Sequence, residues 1–275
     1  MVEKRKNILI IGGSGYIGSE IIKAFGGAYN FLNLSKARLS ERASNNILCD
    51  VRSGIEFLNF SEPIDMVINC GEFADCSLEK LNGRCYAETV EKIVAMAKKN
   101  KIPKLIHFSN HTDDAAYHND YVHNKLLADR VVEHSGLDFI IFKPTVIFGH
   151  NSLFDTVLGR FATLKVLPKN IAQQRFAPVF IGDVLRNVGY AMGHDECWNK
   201  SYTVCGPEHM DVKEALDRYH VKTPSVVKVP KLISMIQLRR TFDRPVYNFY
   251  SRYMNPGNAA LHSEYPSLLK PLKFY

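Results

Sequence analysis

A short apolar run breaks into regularly spaced glycines at residues 8–18, Ile8-Leu9-Ile10-Ile11-Gly12-Gly13-Ser14-Gly15-Tyr16-Ile17-Gly18, and a helical pattern follows. This arrangement predicts a buried parallel strand that turns directly into a helix, with the helix N-terminus facing a pyrophosphate. Gly12 allows the tight turn, Gly15 leaves no Cβ between backbone and phosphate, and Gly18 lets the helix pack close to the strand. The spacing is G-x-x-G-x-x-G. A glycine motif alone carries little, but one placed between a strand and a helix is far more specific than an ordinary Gly-rich turn. Ser14, Tyr16 and Ile17 complete the loop and join the three glycines as candidate dinucleotide contacts.

Strands and helices alternate through the first half of the chain. Asn7–Ile11, Phe31–Leu34, Ile47–Cys49, Met66–Cys70, Lys104–Ser109 and Asp138–Lys143 read as short apolar strands. Tyr16–Phe25 and Tyr121–Ser135 read as helices, the second stopped by Gly136. Residues 86–100 place Val90, Ile93, Val94 and Ala97 on one helical face, and Pro103 stops that helix. Such alternation predicts an α/β fold: a doubly wound parallel sheet of the Rossmann type, covered on both faces. Beyond Pro144 the elements become irregular, so a smaller, discontinuous C-terminal region is expected. Residues 1–150 form the dinucleotide-binding domain, with 178–206 rejoining it, and 151–177 with 207–275 form the smaller region. Within 178–206, Pro178–Ile181 and Tyr202–Cys205 read as the strands that rejoin the main sheet.

Composition excludes some classes of function. Apolar residues make up 46% and charged residues 23% of the chain, ordinary for a globular protein. No apolar run approaches the ~20 residues of a membrane span. The six cysteines show no C-x-x-C pair and no metal spacing. Cys49, Cys70 and Cys205 lie in strand-like runs, so buried thiols in a reducing compartment are expected. The net charge of +7 could favour nucleic acid, anionic lipid or an acidic partner, but it is not gathered in one block. The clustered aromatic and basic platform that single strands need is missing, so nucleic acid is not an expected partner. The first strand begins so near the N-terminus that no presequence is visible.

The second strand ends Leu34-Ser35-Lys36-Ala37-Arg38. In a doubly wound sheet this position meets the adenosine ribose, where an acid selects NAD and a basic group accommodates the 2′-phosphate of NADP. Here a hydroxyl, Ser35, and two cations, Lys36 and Arg38, replace the acid, which points to NADPH. The alternative is that Lys36 and Arg38 are solvated loop charges. After the third strand, Asp50 and Val51 suit the adenine, Asp50 accepting from the exocyclic amine and Val51 packing on the ring; Asp50 could equally cap a turn. Cys70-Gly71 ends the next strand, where glycine permits close approach of a cofactor.

Tyr121 and Lys125 are four apart on a predicted helix and share a face. A lysine beside a phenol favours the phenolate, and such a pair can exchange a proton with a carbonyl oxygen while nicotinamide moves hydride.

The glycine loop, Asp50-Val51, Ser109 at a strand end, Tyr121/Lys125, Lys143-Pro144, residues 179–184 and Cys205-Gly206-Pro207 together resemble an atypical, extended short-chain dehydrogenase/reductase. The likeness spans residues 7–207. Within that superfamily, residues 121–125, 140–149, 173–175 and 178–179 are similar to the NADPH-binding accessory subunits of mitochondrial respiratory complex I. Lys143 before the proline, where active relatives carry Arg, supports the narrower match. The resemblance implies that Ser109, Tyr121, Lys125, Lys143 and Pro144 contribute to the cofactor site.

Active relatives also carry a Ser or Thr soon after the fifth strand that helps hold a substrate carbonyl. Here the segment is Ser109-Asn110-His111-Thr112, and only eleven residues separate Ser109 from Tyr121, a markedly shorter connection. The resemblance therefore implies a cofactor held without turnover, Tyr121 and Lys125 gripping the nicotinamide ribose. It further implies other subunits of a large membrane-associated complex as partners, a matrix-side location at the mitochondrial inner membrane, and contact between anionic lipid and the basic, aromatic tail (Arg239, Arg240, Phe242, Tyr247, Phe249, Tyr250). The alternatives are an active NADP-dependent reductase or epimerase using Tyr121 and Lys125, and a cytoplasmic location. An RNA-binding member of the superfamily ranks last.

Overall fold

The computed structural model describes residues 4–36, 45–71, 85–111, 120–218 and 223–230, without the side chains of residues 120–122. The chain runs β1 (Asn7–Ile11), α1 (Tyr16–Phe25), β2 (Asn30–Ser35), β3 (Asn46–Leu48), β4 (Met66–Asn69), α2 (Cys85–Lys99), β5 (Lys104–Phe108), α3 (Asp120–Glu133) and β6 (Asp138–Pro144). It continues through β7 (Ile147–Phe148), α4 (Leu153–Thr163), β8 (Val166–Pro168), α5 (Lys169–Ala172), β9 (Arg175–Phe176), β10 (Val179–Phe180) and α6 (Ile181–Gly193). The last elements are β11 (Lys200–Val204), β12 (Met210–Asp211), α7 (Val212–Arg218) and β13 (Ser225–Val227).

Seven parallel strands form the main sheet in the order β11-β6-β5-β4-β1-β2-β3. This is the doubly wound α/β architecture that the strand–helix alternation predicts. The chain leaves β1 toward one edge and restarts at β4 toward the other, which opens a crevice at the C-terminal ends of β1 and β4. Strand periodicity divides the side chains between two cores. Ile8, Ile10, Met66, Ile68, Ile106, Phe108, Ile140 and Phe142 enter one, closed by Ile21 of α1 and by Val184, Val188 and Ala191 of α6. Leu9, Ile11, Val67, Leu105 and Ile141 enter the other, closed by Val90, Ile93 and Ala97 of α2 and by Ala128 and Val132 of α3. Burial on both faces explains why the strands read as continuous apolar runs.

A third core lies in the C-terminal region, where Phe154, Val157 and Phe161 of α4 meet Ile171, Phe176, Val212 and Leu216. Ser152 starts α4 by accepting a hydrogen bond from the Asp155 N–H (3.1 Å). Antiparallel pairing of β12 with β9 and parallel pairing of β13 with β8 join the segments on either side of residues 178–206.

Of the two late strands expected in the main sheet, β11 lies beside β6, but Val179–Phe180 pairs with β7 in a separate two-stranded ladder. A two-residue strand cannot span the sheet, and Val179 N–H is already committed to the Val146 carbonyl (2.8 Å). Cys49, Cys70 and Cys205 are free thiols and only half-buried, whereas Cys197 is buried and free. Cys85, for which no such expectation was made, is disulfide-bonded. Among the described residues, no helix is long and apolar enough to cross a membrane.

Phe142 sits at the centre of the first core, fully buried, its ring 5.7 Å from that of Phe108 and 6.1 Å from that of Tyr202. Phe142→Ala should lower the stability of the folded chain by about 3–5 kcal/mol, measured as a reduced urea midpoint at constant slope.

Candidate functional site

The glycine loop takes its shape from backbone contacts. Gly12 has φ +79°, and its N–H donates to the Leu34 carbonyl of β2 (3.0 Å). A Cβ on Gly12 would lie 2.9 Å from Gly71 Cα, so the loop rests on the backbone just past β4. Gly15 N–H closes the turn onto the Gly12 carbonyl (2.9 Å), and α1 begins at Tyr16. A Cβ on Gly18 would meet the Gly12 carbonyl oxygen at 2.4 Å and Gly13 Cα at 2.7 Å, so Gly18 admits the loop to the helix rather than the helix to the strand. The first turn of α1 carries no acidic residue, and Gly15 supplies no side-chain cap. The helix therefore offers its N-terminal N–H groups and positive dipole end to an anion. Ser14 and Gly15 are exposed there, whereas Ile17 and Tyr16 pack against the first core. The Tyr16 phenol is pushed up to about 12, chiefly by burial. This cradle fits a dinucleotide pyrophosphate.

At the outer edge, Ser35 ends β2 and is buried, its hydroxyl accepting from Asn33 Nδ2 (3.1 Å). Lys36 Nζ reaches Asp50 Oδ2 (3.2 Å), and the Arg52 guanidinium grips the same carboxylate from Nε to Oδ1 (3.0 Å) and from Nη2 to Oδ2 (2.7 Å). Asp50 Oδ1 also accepts the Arg52 N–H (3.1 Å), which makes it the turn residue after β3. The hydrogen bonds from Arg52, assisted by Lys36, hold its carboxyl well below the usual carboxylate range. Two cations thus share one carboxylate, and Val51 packs into the second core beside them. Arg38 lies outside the described residues.

Between the sheet and the helices α2 and α3 lies a buried polar layer. Asn69, His107 and Lys143 project from β4, β5 and β6 on the same face as Val67, Leu105 and Ile141. Asn69 accepts the Gly71 N–H at Oδ1 (3.1 Å) and meets His107 Nδ1 with Nδ2 (3.0 Å). That contact makes Nδ1 the acceptor and leaves the ring proton on Nε2, 3.8 Å from Asp129 Oδ1. Asp129 of α3 is 3% exposed and pairs with Lys143 Nζ at 3.0 Å. Burial pushes the Asp129 carboxyl up, and Lys143 opposes it. One turn earlier on α3, Lys125 is 2% exposed and donates to the Tyr86 hydroxyl (2.5 Å), which donates to the Gly71 carbonyl (2.9 Å).

The predicted residues divide accordingly. The structure gathers Gly12, Ser14, Gly15, Gly18, Cys70 and Gly71 around the crevice between β1 and β4, with Cys70 N–H bonded to the Ile11 carbonyl (2.9 Å). Ser109 is buried, its N–H donating to the Phe142 carbonyl (2.8 Å), and Pro144, also buried, accepts the His111 N–H (3.2 Å). Tyr121 stands in the first turn of α3, four positions ahead of Lys125 as the spacing requires; its side chain lies outside the described residues. Tyr86, His107, Asn69 and Asp129 were missed by sequence reasoning. For Asp129 a signal existed, because it falls in the same helical stripe as Ala128 and Val132, one turn after Lys125. Among the described residues, no cluster of His, Cys, Asp or Glu is arranged to hold a metal ion.

The fold and the loop define a dinucleotide-binding protein class. The NAD dependent epimerase/dehydratase family model matches residues 8–196, and the chain belongs to this family. Among solved structures it is similar to a nucleoside-diphosphate-sugar epimerase from Staphylococcus aureus, at 15% identity over 94% of this chain and 92% of that one, with a TM-score of 0.70. It is also similar to a UDP-N-acetylglucosamine 4-epimerase from Methanobrevibacter ruminantium (18% identity, 83% and 87% covered, TM-score 0.65). A third is the UDP-glucuronic acid 4-epimerase from Bacillus cereus, solved in complex with NAD (16% identity, 81% and 87% covered, TM-score 0.62).

Gly18→Ala should cost about 1–3 kcal/mol and abolish nucleotide binding, because the new methyl displaces the loop. Thermal unfolding with and without nucleotide checks both effects. The His107 imidazole is held down at about 3 against an ordinary 6.5, mainly by burial, with Lys125 and Lys143 adding to it. The unfolded chain accepts a proton that the folded chain refuses, so this contribution is complete above pH 6.5 and is lost as pH falls toward 3. Urea denaturation at a series of pH values should show a decline approaching about 1.4 kcal/mol per pH unit, flattened in His107→Gln.

Proposed function

We propose that this chain binds NADP(H) at the glycine loop and retains it, serving as an accessory subunit of respiratory complex I on the matrix side of the inner membrane. The observation that carries retention without turnover is the placement of Ser109 and Lys125. Both are almost wholly buried: the Ser109 hydroxyl is closed off where a reductase needs one open to a substrate carbonyl, and Lys125 is engaged by Tyr86. The basic edge formed by Lys36 and Arg52 at the ends of β2 and β3 supports NADP(H) over NAD(H). Nicotinamide, when bound, can donate or accept hydride. The glycine loop would hold the pyrophosphate and Lys125 with Tyr121 the nicotinamide ribose. A retained nucleotide at 100 times its Kd stabilises the fold by about 2.7 kcal/mol. The complex I assignment itself rests on the narrower sequence resemblance. The remaining partners would be neighbouring subunits and, through the basic aromatic tail, anionic lipid.

The second reading is an active NADP-dependent epimerase or reductase, with Tyr121 as acid and base and Lys125 tuning it. Membership of the epimerase/dehydratase family and the likeness to sugar-nucleotide epimerases favour this reading. Native purification from the source organism separates the two. Retention predicts co-purification with a large membrane complex, release of NADPH on denaturation, and no turnover of UDP-sugars or carbonyl substrates. A free, small protein that turns over nucleotide, with activity abolished in Tyr121→Phe, establishes the second reading instead.

A further inference from the structure

Tyr86 belongs to none of the sequence motifs. It continues the buried face of α2 one turn ahead of Val90, where an apolar residue would serve the core equally well. Its hydroxyl instead donates to the Gly71 carbonyl (2.9 Å) and accepts from Lys125 Nζ (2.5 Å), and the ammonium also lies 3.9 Å from the ring centroid. Gly71 is the residue against which Gly12 packs. An unbroken series of contacts therefore runs from the glycine loop through Gly71 and Tyr86 to Lys125. A lysine head group 2% exposed keeps its place through partners of this kind.

We infer that Tyr86 is a positioning residue for the nicotinamide half of the dinucleotide site. It fixes the Lys125 ammonium relative to the glycine loop, so that the groups meeting the pyrophosphate and the nicotinamide ribose stand at a set distance. This rests on the cofactor reading above. The hydroxyl meets Lys125 on the nicotinamide side, whereas the adenosine half would lie beyond β1, at β2 and β3. A tyrosine that merely supports the fold would influence both halves of the ligand alike.

The test titrates wild type, Tyr86→Phe, Lys125→Met and the double variant with NADPH and with 2′,5′-ADP, which carries the adenosine half alone. Tyr86→Phe keeps the ring and removes only the hydroxyl. Each single variant should raise the Kd for NADPH about tenfold, as expected for a lost hydrogen bond to a charged group, and leave that for 2′,5′-ADP within about twofold. The double variant should bind NADPH no more weakly than Lys125→Met. Equal weakening of both ligands by Tyr86→Phe overturns the inference. Unchanged NADPH affinity, or additive losses in the double variant, overturns it as well. If Tyr86→Phe does not fold, Tyr86→His carries the same comparison. Wild-type protein that binds neither ligand overturns the cofactor reading and this inference with it, a result distinct from wild-type binding and an indifferent Tyr86→Phe.

Discussion

The backbone contact between Gly12 and Gly71 is the constraint on which the molecule is organised. Two adjacent parallel strands, β1 and β4, end there. The glycine loop has no room for a side chain at the contact: a Cβ on Gly12 would sit 2.9 Å from Gly71 Cα. That closeness brings the N-terminus of α1 over the crevice and lets Asn69 bind the Gly71 N–H from below. Everything proposed for the site depends on this approach, because a wider gap would separate the helix terminus from the polar layer.

The polar layer itself is costly to build. Lys125, Asp129 and His107 are each almost fully excluded from water, and removal of a charge from water is repaid only where its partners are close and well aimed. Here the partners come from different elements: Lys143 on β6 for Asp129, Tyr86 on α2 for Lys125, Asn69 on β4 for His107. Such a layer contributes little net stability compared with apolar packing, but it specifies how α2 and α3 sit on the sheet. An apolar core of the same volume would tolerate a shifted helix; the Lys143–Asp129 ion pair on α3 and the Tyr86–Lys125 hydrogen bond between α2 and α3 do not.

Local sequence carried the backbone well and the polar layer poorly. Asn7–Ile11 and Tyr16–Phe25 are found at their predicted bounds because their signals are local: an apolar run, spaced glycines, a helical stripe. The pairing of Val179–Phe180 with β7 was not legible, since a short apolar strand does not state which edge it will join. His107 stands in Lys-Leu-Ile-His-Phe and reads as one more member of an apolar strand. Its tautomer and its burial depend on Asn69, 38 positions earlier, and on Asp129 from a different helix. Lys143 was read as a cofactor contact through resemblance, and the ion pair it makes with Asp129 is a relation between elements that no local pattern encodes.

Asp50 gives the outer edge of the site a character of its own. The carboxylate that holds Arg52 and Lys36 is a resident competitor for any anion arriving there. It is tethered, so its effective concentration is fixed and high, and it cannot be diluted away. A hydroxyl brings too little charge to displace it. A phosphate brings about two negative charges and three acceptor oxygens, enough to share both cations with Asp50 or take them over. An anion arriving at this edge would therefore have to outcompete Asp50 as well as touch the two cations.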